Sequence, residues 1–346
     1  MTNKWQGKKV LITGVCGTVG AELLKQLSKQ NCSHIVGIDN SETELFFLDQ
    51  EFSDYENIEL FLGDLRDKSS MDRIMRNVDI VLHSAALKHV ILCERSPRDA
   101  VETNIQGMMN IIDAAEKNGV ERLIFTSSDK AVNPTNVMGT TKLMGERLMT
   151  AANAHRCNSS DTIYTSTRFG NVLGSRGSVI PIFARQISSG GPITLTEKSM
   201  TRFIMTLDEA VSLVLESVWC ACGGEIFVTK MPVIRISDLA EVMIEILAPK
   251  YGYQPSDITI EVTGSKPGEK MYEELLSEEE MRRTVELKKF FAIFPAFTGI
   301  YHDVKYDYGE IVSENVDNEY NSKNETPLTR KELREYFVEH KLLDSL

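Results

Sequence analysis

The string SSDKAVNPTNVMGTTK, residues 127–142, contains adjacent side chains that can transfer protons. Ser128, Asp129 and Lys130 supply a hydroxyl, a carboxyl and an amine, which can hydrogen-bond, protonate and deprotonate a bound molecule. Lys142 ends the string, and Met138 stands four residues before it. A thioether neither gives nor takes a proton, so Met138 supplies shape and any proton transfer must use the other groups.

The same residues also have a purely structural interpretation. An Asp-Lys pair beyond a strand is often a helix cap with a solvated neighbour. Adjacent residues of an extended chain face opposite sides, so Asp129 and Lys130 can reach one ligand only if the strand has already turned. A helix over 136–155 would place Lys142 one turn beyond Met138 on the same face.

Strand-length apolar runs alternate with segments of helical period in the first half of the chain. The runs are KVLIT, HIVGID, IELFLG, DIVLHSA and RLIFTSS, and the helical segments are Val19 to Gln30, Glu42 to Phe52, Ser69 to Arg76 and Pro97 to Asn118. A sixth unit pairs the helix over 136–155 with the strand TIYTSTRFGNV. This alternation predicts an α/β fold with a doubly wound parallel sheet of the Rossmann type.

A glycine-rich turn follows the first strand. Gly14, Gly17 and Gly20 in TGVCGTVG precede a helix, with Thr18 and Val19 in the same turn. Such glycines let the backbone approach a pyrophosphate, which helix N-terminal amides then bind. The spacing differs by one residue from G-x-G-x-x-G, and a plain strand-to-helix turn is the alternative.

A carboxylate at the end of the second strand strengthens the dinucleotide interpretation. Asp39 lies where a carboxylate binds the adenosine ribose hydroxyls, and Asn40 follows it. Because no Arg or Lys lies between Asp39 and Glu51 to attract a 2'-phosphate, NAD is favoured over NADP. Asp64 and Leu65, after the third strand, either border the adenine or only cap a loop.

The fourth strand leads into HSAALK. Ala85 and Ala86 are small enough for a cofactor to pass closely, whereas His83 is expected to be a core histidine. After Gly170 the regular alternation loosens. We expect an NAD-binding domain over residues 1–170, with returning segments near 203–230. A smaller C-terminal substrate-binding lobe would comprise 171–202 and 231–346.

Composition excludes several other classes. A net charge of -12 argues against a nucleic-acid or anionic-membrane surface. Six irregularly placed cysteines make no disulfide framework, and Cys220-Ala-Cys222 lacks the second pair of a zinc site, so no metal is expected. Without an apolar signal core or a span of bilayer length, the chain is expected to be cytoplasmic.

Several strings together resemble a known family. TGxxGxxG, Asp39, HSAALKH, TNIQG, SSDKA and a lysine in the next helix are similar to the extended short-chain dehydrogenase/reductase family. Within it, SSDKAVNPTNVMGTTK, RFGNVLGSRGSVIP, MTRFIMT and KPGEKMYEELLSEEE closely resemble the UDP-N-acetylglucosamine 4,6-dehydratases of bacterial surface-sugar biosynthesis. The resemblance covers most of residues 8–285.

The resemblance implies a lyase that uses bound NAD without net redox. Such an enzyme oxidises C4 of the sugar, eliminates water across C5 and C6, and returns hydride to C6. Most extended short-chain enzymes have Y-x-x-x-K, and Met138 departs from that pattern. A subgroup with methionine resembles this chain and retains configuration at C5, whereas relatives with tyrosine invert it; the resemblance therefore implies retention.

We assign the proton transfers to the residues that remain. Lys130 is the expected base at C5, and Asp129 is the expected acid at O6 and an acceptor for the O4 proton. Ser128 would hydrogen-bond O4, and Lys142 would contact the nicotinamide ribose and stabilise an alkoxide. The predicted cofactor-binding residues are Gly14, Gly17, Thr18, Val19, Gly20, Asp39, Asn40, Asp64, Leu65, Ala85, Ala86, Lys88, Asn104 and Lys142.

The predicted substrate contacts rest on the same strings. Asn171, Gly174, Ser175, Arg176 and Arg202 resemble diphosphate and uridine contacts, because an arginine fork suits phosphate oxygens. For each of them an ordinary loop contact or surface salt bridge is the alternative. The predicted substrate-binding residues are His89, Met138, Asn171, Ser175, Arg176, Arg202 and Glu269.

Alternative functions remain open from the sequence. The enzyme alternatives are a C5-inverting dehydratase and a UDP-hexose 4-epimerase. A different class is a dinucleotide-binding sensor that lost catalysis together with the tyrosine. The helices Pro97 to Asn118 and 136–155 resemble the pair through which family members dimerise, so a homo-oligomer is expected.

Overall fold

A computed structural model describes residues 4–154, 161–175, 178–264, 269–297, 304–309 and 311–343. The chain forms two compact units. The first unit comprises Met1–Phe169, Val211–Thr229 and Glu278–Asp317. The second unit comprises Gly170–Ala210, Lys230–Ser277 and Asn318–Leu346.

The strands are numbered in chain order. They are β1 (Lys9–Thr13), β2 (His34–Asp39), β3 (Ile58–Leu62), β4 (Ile80–His83), β5 (Arg122–Ser128), β6 (Ile163–Phe169), β7 (Asn171–Val172), β8 (Ile193–Leu195), β9 (Thr201–Met205), β10 (Ile226–Thr229), β11 (Val233–Arg235), β12 (Ile260–Val262), β13 (Glu274–Leu276), β14 (Thr284–Leu287), β15 (Phe290–Ile293), β16 (Ile311–Ser313) and β17 (Tyr320–Asn321).

The helices are numbered in the same way. They are α1 (Thr18–Leu27), α2 (Glu42–Glu51), α3 (Lys68–Ile74), α4 (Val90–Arg95), α5 (Pro97–Val101), α6 (Gly107–Asn118), α7 (Val137–Ala154), α8 (Val179–Ser188), α9 (Leu207–Cys220), α10 (Ile236–Leu247), α11 (Glu278–Met281) and α12 (Arg330–Glu339). A π-helical turn covers Glu102–Gln106, and 3-10 turns cover Asp129–Ala131, Pro249–Tyr251 and Pro255–Asp257.

The first unit is built on a ten-stranded sheet. Strands β3, β2, β1, β4, β5, β6 and β10 lie side by side in that order, and every pair among them is parallel. The predicted Rossmann-type sheet is confirmed. The strand order reverses between β1 and β4. Open α/β sheets bind their ligands where the order reverses, at the carboxyl ends of the strands.

An antiparallel extension completes the sheet. β15 pairs antiparallel with β10, and β14 and β16 follow it outward. Residues 278–317 therefore belong to the first unit, whereas the sequence analysis placed them in the C-terminal lobe. The apolar run Phe290–Ile293 is buried because it pairs with β10, a partner remote in sequence.

Helical segments cover the parallel strands as predicted, with one local irregularity. The segment expected to be one helix from Pro97 to Asn118 is α5, the π-helical turn and α6 in succession. π-Helical turns are frequent at functional sites. The buried residue of that turn is Asn104, whose contacts are described below.

The second unit contains small sheets and its own core. Strands β11, β9 and β7 form one sheet, β12 pairs with β8, and β13 pairs with β17. The apolar faces of α8 and α10 and the side chains of Leu333 and Phe337 from α12 form a hydrophobic cluster. This core packs beside β7 and β9, which carry two of the predicted substrate residues, Asn171 and Arg202.

Candidate active site

The glycine turn after β1 has the geometry that a dinucleotide requires. Gly14 has φ +70°, and a Cβ atom there would lie 2.6 Å from the Cα atom of Ala85. A Cβ atom on Gly20 would clash with the carbonyl of Gly14, so both glycines are needed for close backbone approach. Helix α1 begins directly after Gly17, which has no side chain to cap the first-turn amides. An anion can therefore be held by those amides.

Asp39 lies beside this turn. Its carboxylate accepts a hydrogen bond from the backbone N–H of Cys16 at 3.0 Å and another from that of Ser41 at 3.0 Å. These contacts fix its position at the end of β2 and leave lone pairs for ribose hydroxyls. Asn40 is exposed next to it.

The loop after β3 is held by two side chains. Asp64 accepts hydrogen bonds from Arg66, with 2.6 Å to its Nη2 atom, and that bond is the main cause of the lowered pKa of Asp64. Asn110 donates to the carbonyl of Leu65 at 2.8 Å. Asp64 therefore stabilises its own loop, which is the purely structural role considered above. Its role beside an adenine stays a prediction.

Asn104 positions the loop after β4. Its side chain accepts from the N–H of Leu87 at 2.8 Å and donates to the carbonyl of Leu87 at 3.0 Å and to Thr141 at 2.9 Å. It is buried and holds the HSAALK segment against α7. Ala85 and Ala86 are partly exposed, and Lys88 and His89 are exposed. Asn104 thus acts on the backbone of the predicted cofactor loop.

The candidate proton-transfer residues meet at the end of β5. β5 ends at Ser128, and the 3-10 turn Asp129–Ala131 follows at once, so the chain has turned as the prediction required. Lys130 Nζ lies 3.1 Å from both carboxylate oxygens of Asp129, and the Ser128 hydroxyl donates to Asp129 Oδ1 at 2.6 Å. The Asp129 side chain is 5% exposed and that of Lys130 is 34% exposed. The three groups form one connected cluster, and Ser128 also accepts from the N–H of Lys130, as a cap does.

Met138 lies in an apolar cluster on the first turn of α7. It is 3% exposed and packs with Cys93 and Ala100. The next residue, Gly139, allows α7 to contact the 3-10 turn, because a Cβ atom there would clash with the carbonyl of Lys130. Met138 is therefore held by apolar packing, and its predicted contact with the substrate stays a prediction.

The packing at Met138 gives a testable difference between two substitutions. Met138→Leu conserves volume and is expected to change the free energy of unfolding by less than about 1.5 kcal/mol. Met138→Tyr restores the Y-x-x-x-K pattern but inserts a ring and a hydroxyl into this cluster, which we expect to cost about 1–3 kcal/mol. Urea unfolding of both variants measures this. Equal stability of the two would contradict the packing role.

Lys142 is buried one helical turn after Met138. Its Nζ atom donates to the carbonyl of Thr126 at 2.9 Å and lies 4.7 Å from the centre of the Phe125 ring. Burial lowers the pKa of Lys142 to about 8, although the nearby Glu146 raises it. The neighbouring His83 is fully buried, and its Nδ1 atom lies 2.7 Å from the Thr13 hydroxyl oxygen. Burial, together with the charge of Lys142, lowers the pKa of His83 to about 3.

The lowered pKa of Lys142 predicts a pH-dependent stability. The folded protein holds the ammonium proton of Lys142 less tightly than the unfolded chain does. Burying the charged amine therefore lowers the free energy of unfolding by its full amount below pH 8, and this loss disappears as pH rises towards 10.5. The full effect is about 3 kcal/mol. Lys142→Met has no amine to titrate. The free energy of unfolding of wild type relative to this variant, measured by urea unfolding, should therefore increase between about pH 8 and pH 10.5. A constant difference would contradict the prediction.

Three of the predicted substrate residues of the second unit line a cavity of about 180 Å³. Asn171, Arg202 and Glu269 line it, Ser175 lies in the loop after β7, and Arg176 is outside the described residues. The Arg202 guanidinium donates to the carbonyls of Thr201 at 2.8 Å, Lys270 at 2.9 Å and Met271 at 3.3 Å. Its donors are therefore directed at the protein's own backbone.

Comparison with known proteins places the chain in a family. A sequence model described as polysaccharide biosynthesis protein matches residues 10–295. The chain belongs to this polysaccharide biosynthesis family. The solved structure of Pen from Bacillus thuringiensis is 42% identical, with a TM-score of 0.89 over 98% of this chain and 99% of that chain.

Curated relatives of the polysaccharide biosynthesis family carry different names. An uncharacterized membrane protein, MJ1061, from Methanocaldococcus jannaschii is 47% identical over 98% of both chains. A UDP-N-acetylglucosamine 4,6-dehydratase (inverting) from Campylobacter jejuni is 37% identical over 84% of both chains. A UDP-glucose 4-epimerase from Rickettsia akari is 40% identical over 83% of this chain and 82% of that protein.

Metal-binding clusters and membrane-spanning helices are both absent from the described part of this family member. No group of three or more His, Cys, Asp or Glu residues within the described ranges is arranged to hold a metal ion. Among the helices formed by the described residues, none has the length and apolar composition needed to cross a bilayer.

A buried ion-pair triad lies in the first unit and was missed by the sequence analysis. Arg168 of β6 is fully buried and donates to Glu146 at 2.6 Å and 3.0 Å and to Glu280 at 3.0 Å and 3.1 Å. Burial opposes its charge, but the two carboxylates outweigh that effect and raise the pKa of Arg168. Glu146 follows Lys142 by one turn of α7, and its charge also acts on the pKa of that lysine. Glu280 is distant in sequence, and no local pattern identifies it.

Proposed function

We propose that this protein is an NAD-dependent dehydratase that removes water from UDP-N-acetylglucosamine and forms a UDP-4-keto-6-deoxy sugar. The observation that carries the proposal is the contact between Asp129 and Lys130 at the end of β5. Dehydration needs an acid and a base beyond the group that exchanges the O4 proton. This pair supplies both, and a dehydratase relative is similar over most of the chain.

The cofactor assignment rests on the fit of the first unit. Bound NAD would supply the hydride acceptor at C4 and the hydride donor at C6. The Gly14 turn and the amides of α1 suit its pyrophosphate, Asp39 suits the ribose hydroxyls, and Ala85 leaves room for close passage. The carboxylate of Asp39 would repel a 2'-phosphate, which favours NAD over NADP.

The cluster can provide acid and base together if Lys130 starts as a neutral amine beside the Asp129 carboxylate. Ser128 would hydrogen-bond O4 and pass the O4 proton to Asp129, 2.6 Å away, so that Asp129 becomes the acid. Lys130, whose Nζ atom lies 3.1 Å from Asp129, would take the C5 proton, and Asp129 would give its proton to O6, which leaves as water. Once C6 has received hydride, Lys130 would return its proton to C5, and both groups regain their starting protonation states.

We further propose that C5 is reprotonated on the face from which its proton left. The cluster presents one amine, and Met138 stands where a phenol would supply another proton donor. A single base that takes and returns the proton gives retention. The Campylobacter relative is named inverting, so the stereochemical course is the finer part of this proposal.

Incubation of the purified protein with NAD and UDP-N-acetylglucosamine tests both parts. We expect a product lighter by one water, with deuterium at C5 when the reaction runs in deuterated water. Proton NMR of that product gives its C5 configuration, and UDP-glucose serves as the comparison substrate for the acetamido group. An unchanged sugar nucleotide would contradict the dehydratase proposal, and inverted C5 would contradict retention alone.

A 4-epimerase is the second candidate, because the Rickettsia relative carries that name. It would yield an isomer of the substrate with no loss of water, and it would not need the pair of Asp129 and Lys130. A non-catalytic sensor, favoured by Met138, would bind NAD tightly and turn over no UDP-sugar. Mass spectrometry of the product separates these outcomes.

The proposed assembly is a homo-oligomer in the cytoplasm. The expected interface uses α5, α6 and α7, and nearby large apolar side chains are exposed. Ile91 is 57% exposed, Leu92 is 58% exposed and Met144 is 44% exposed. Ile91 and Leu92 are adjacent on α4, which packs on α7, and exposed apolar surface on neighbouring helices is typical of an interface between protein chains.

A further inference from the structure

The cavity of the second unit contains polar groups with unused hydrogen-bonding capacity. Its polar lining includes Asn171, Ser178, Arg202 and Glu269 among apolar walls. The buried hydroxyl oxygen of Ser178 has no hydrogen-bond partner among the described residues. A cavity with mostly apolar walls and a few oriented polar groups is typical of a small-molecule site.

The amide of Asn171 is oriented by its protein contacts. Its Nδ2 atom donates to Glu273 Oε1 at 2.7 Å and to the carbonyl of Phe203 at 3.2 Å. Both contacts are with acceptors, so both amide hydrogens are used. Within the described part of the chain, no hydrogen bond to the Asn171 side-chain oxygen is found. A ligand in the cavity therefore meets an acceptor at this residue.

Glu273 fixes that orientation. It is 4% exposed, and its other carboxylate oxygen accepts from the N–H of Phe203 at 2.9 Å. Its own N–H donates to the Ser322 hydroxyl at 2.9 Å, and its carbonyl accepts from the N–H of Ser322 at 2.8 Å. A carboxylate only accepts, so turning the Asn171 amide over would place oxygen against oxygen at Glu273 and at Phe203.

We propose that Glu273 is a positioning residue that makes Asn171 a hydrogen-bond acceptor for the substrate. The group recognised is then a donor of the uridine nucleotide, a ribose hydroxyl or a ring N–H, and not a phosphoryl oxygen. The sequence left both diphosphate and uridine contacts open for Asn171, and this proposal selects the uridine part of the nucleotide. It rests on the proposed function in taking a UDP-sugar as the ligand.

Arg202 supports the same conclusion. Its guanidinium is directed at backbone carbonyls, and its Nε atom lies 3.4 Å from Glu273 Oε1. The positive charge beside Asn171 is thus already offset by a buried carboxylate. Phosphate recognition at Asn171 would place a second anion beside Glu273.

The test compares Glu273→Gln, Asn171→Asp and the double variant. In Glu273→Gln the new amide can donate to Asn171, so position 273 no longer fixes the Asn171 amide, and only the carbonyl of Phe203 still favours the original orientation. In Asn171→Asp two carboxylates face each other. We expect each single variant to bind UDP and UDP-N-acetylglucosamine on the order of tenfold to a hundredfold more weakly than wild type.

The double variant shows whether Asn171 accepts a hydrogen bond from the ligand or donates one to it. The amide introduced at position 273 would donate to the carboxylate introduced at position 171, whose other oxygen remains an acceptor. The double variant should therefore bind UDP more tightly than either single variant. If Asn171 instead donates to phosphate, the added carboxylate repels it and no recovery occurs, which would overturn the proposal. If Glu273 had only a structural role, the losses of affinity in the two single variants would add up in the double variant. Tighter binding by the double variant would therefore exclude that role as well.

Calorimetric titration with UDP and with UDP-N-acetylglucosamine measures these affinities without turnover. Glu274→Gln is the matched control, because Glu274 pairs with Lys270 at 2.7 Å and does not line the cavity; it should bind like wild type. Thermal unfolding and NAD binding confirm that each variant is folded. A wild-type protein that binds both nucleotides but releases no water would contradict the proposed function and leave this inference standing.

Discussion

Asp129→Asn is expected to lower the rate of water loss from UDP-N-acetylglucosamine by roughly 10²- to 10⁴-fold, the usual contribution of a positioned acid or base. The amide keeps the size of the side chain and can still contact Ser128 and Lys130. It cannot protonate O6 or receive the O4 proton. Turnover measured by mass spectrometry should fall, while NAD remains bound.

Lys130→Ala should cause a loss of similar size for a different reason. The amine is the group expected to take the C5 proton, so deuterium exchange at C5 should cease together with water loss. Lys130→Arg should fail to restore the rate, because a guanidinium retains its proton in proteins and cannot act as a base. Full activity of Lys130→Arg would show that positive charge alone is required.

A matched ion pair on the surface provides the control. Lys68 and Asp113 are 2.6 Å apart, and both are exposed. Asp113→Asn and Lys68→Ala remove the same chemical groups from the exposed surface of α3 and α6 and should leave turnover unchanged. If Asp129→Asn behaves like Asp113→Asn, the assignment of the acid is wrong.

Much of this cluster could be predicted because it is local in sequence. Ser128, Asp129 and Lys130 are adjacent, and the turn that brings their side chains together begins where the apolar run of β5 ends. Met138 and Lys142 are related by one turn of α7. The parallel sheet was predictable for the same reason, since each strand and the helix after it form a continuous pattern.

Contacts between remote segments could not be predicted in this way. The antiparallel strands β14, β15 and β16 complete the sheet of the first unit, yet their sequence resembles that of any other short strands in the C-terminal half. Glu273 stands beside Glu274, and only the fold shows that one is buried against Asn171 while the other pairs with Lys270. Arg202 was predicted to contact the diphosphate or the uridine, or else to make an ordinary loop contact or salt bridge, and only the fold shows that its guanidinium donates to backbone carbonyls.

The buried triad gives the largest expected change in stability. Arg168→Met should lower the free energy of unfolding by about 3–5 kcal/mol, because removing one partner of a buried ion pair leaves the Glu146 carboxylate without its guanidinium, and Arg283, 3.8 Å from Glu280, offsets the second carboxylate only in part. Glu146 is 1% exposed and Glu280 is 5% exposed, so neither carboxylate regains water in the folded variant. Urea unfolding at neutral pH measures the loss.

The loss should also depend on pH, and the sign follows from the remaining carboxylates. Without Arg168, burial and mutual repulsion would favour the neutral, protonated forms of Glu146 and Glu280 in the folded variant. Stability of Arg168→Met relative to wild type should therefore be greatest in acid and fall as rising pH ionises the two carboxyl groups. A loss of equal size at all pH values would point to packing alone.

A variant in which all three residues of the triad are uncharged separates the effect of charge on stability from the effect of side-chain volume. Adding Glu146→Gln and Glu280→Gln to Arg168→Met removes both buried charges with little change in size, so stability at neutral pH should recover in part and lose the pH dependence that the two carboxyl groups cause. The same triple variant removes the carboxylate that raises the pKa of Lys142. The stability increase assigned to Lys142 should then begin at lower pH than in wild type, which links the triad to the lysine of the candidate active site.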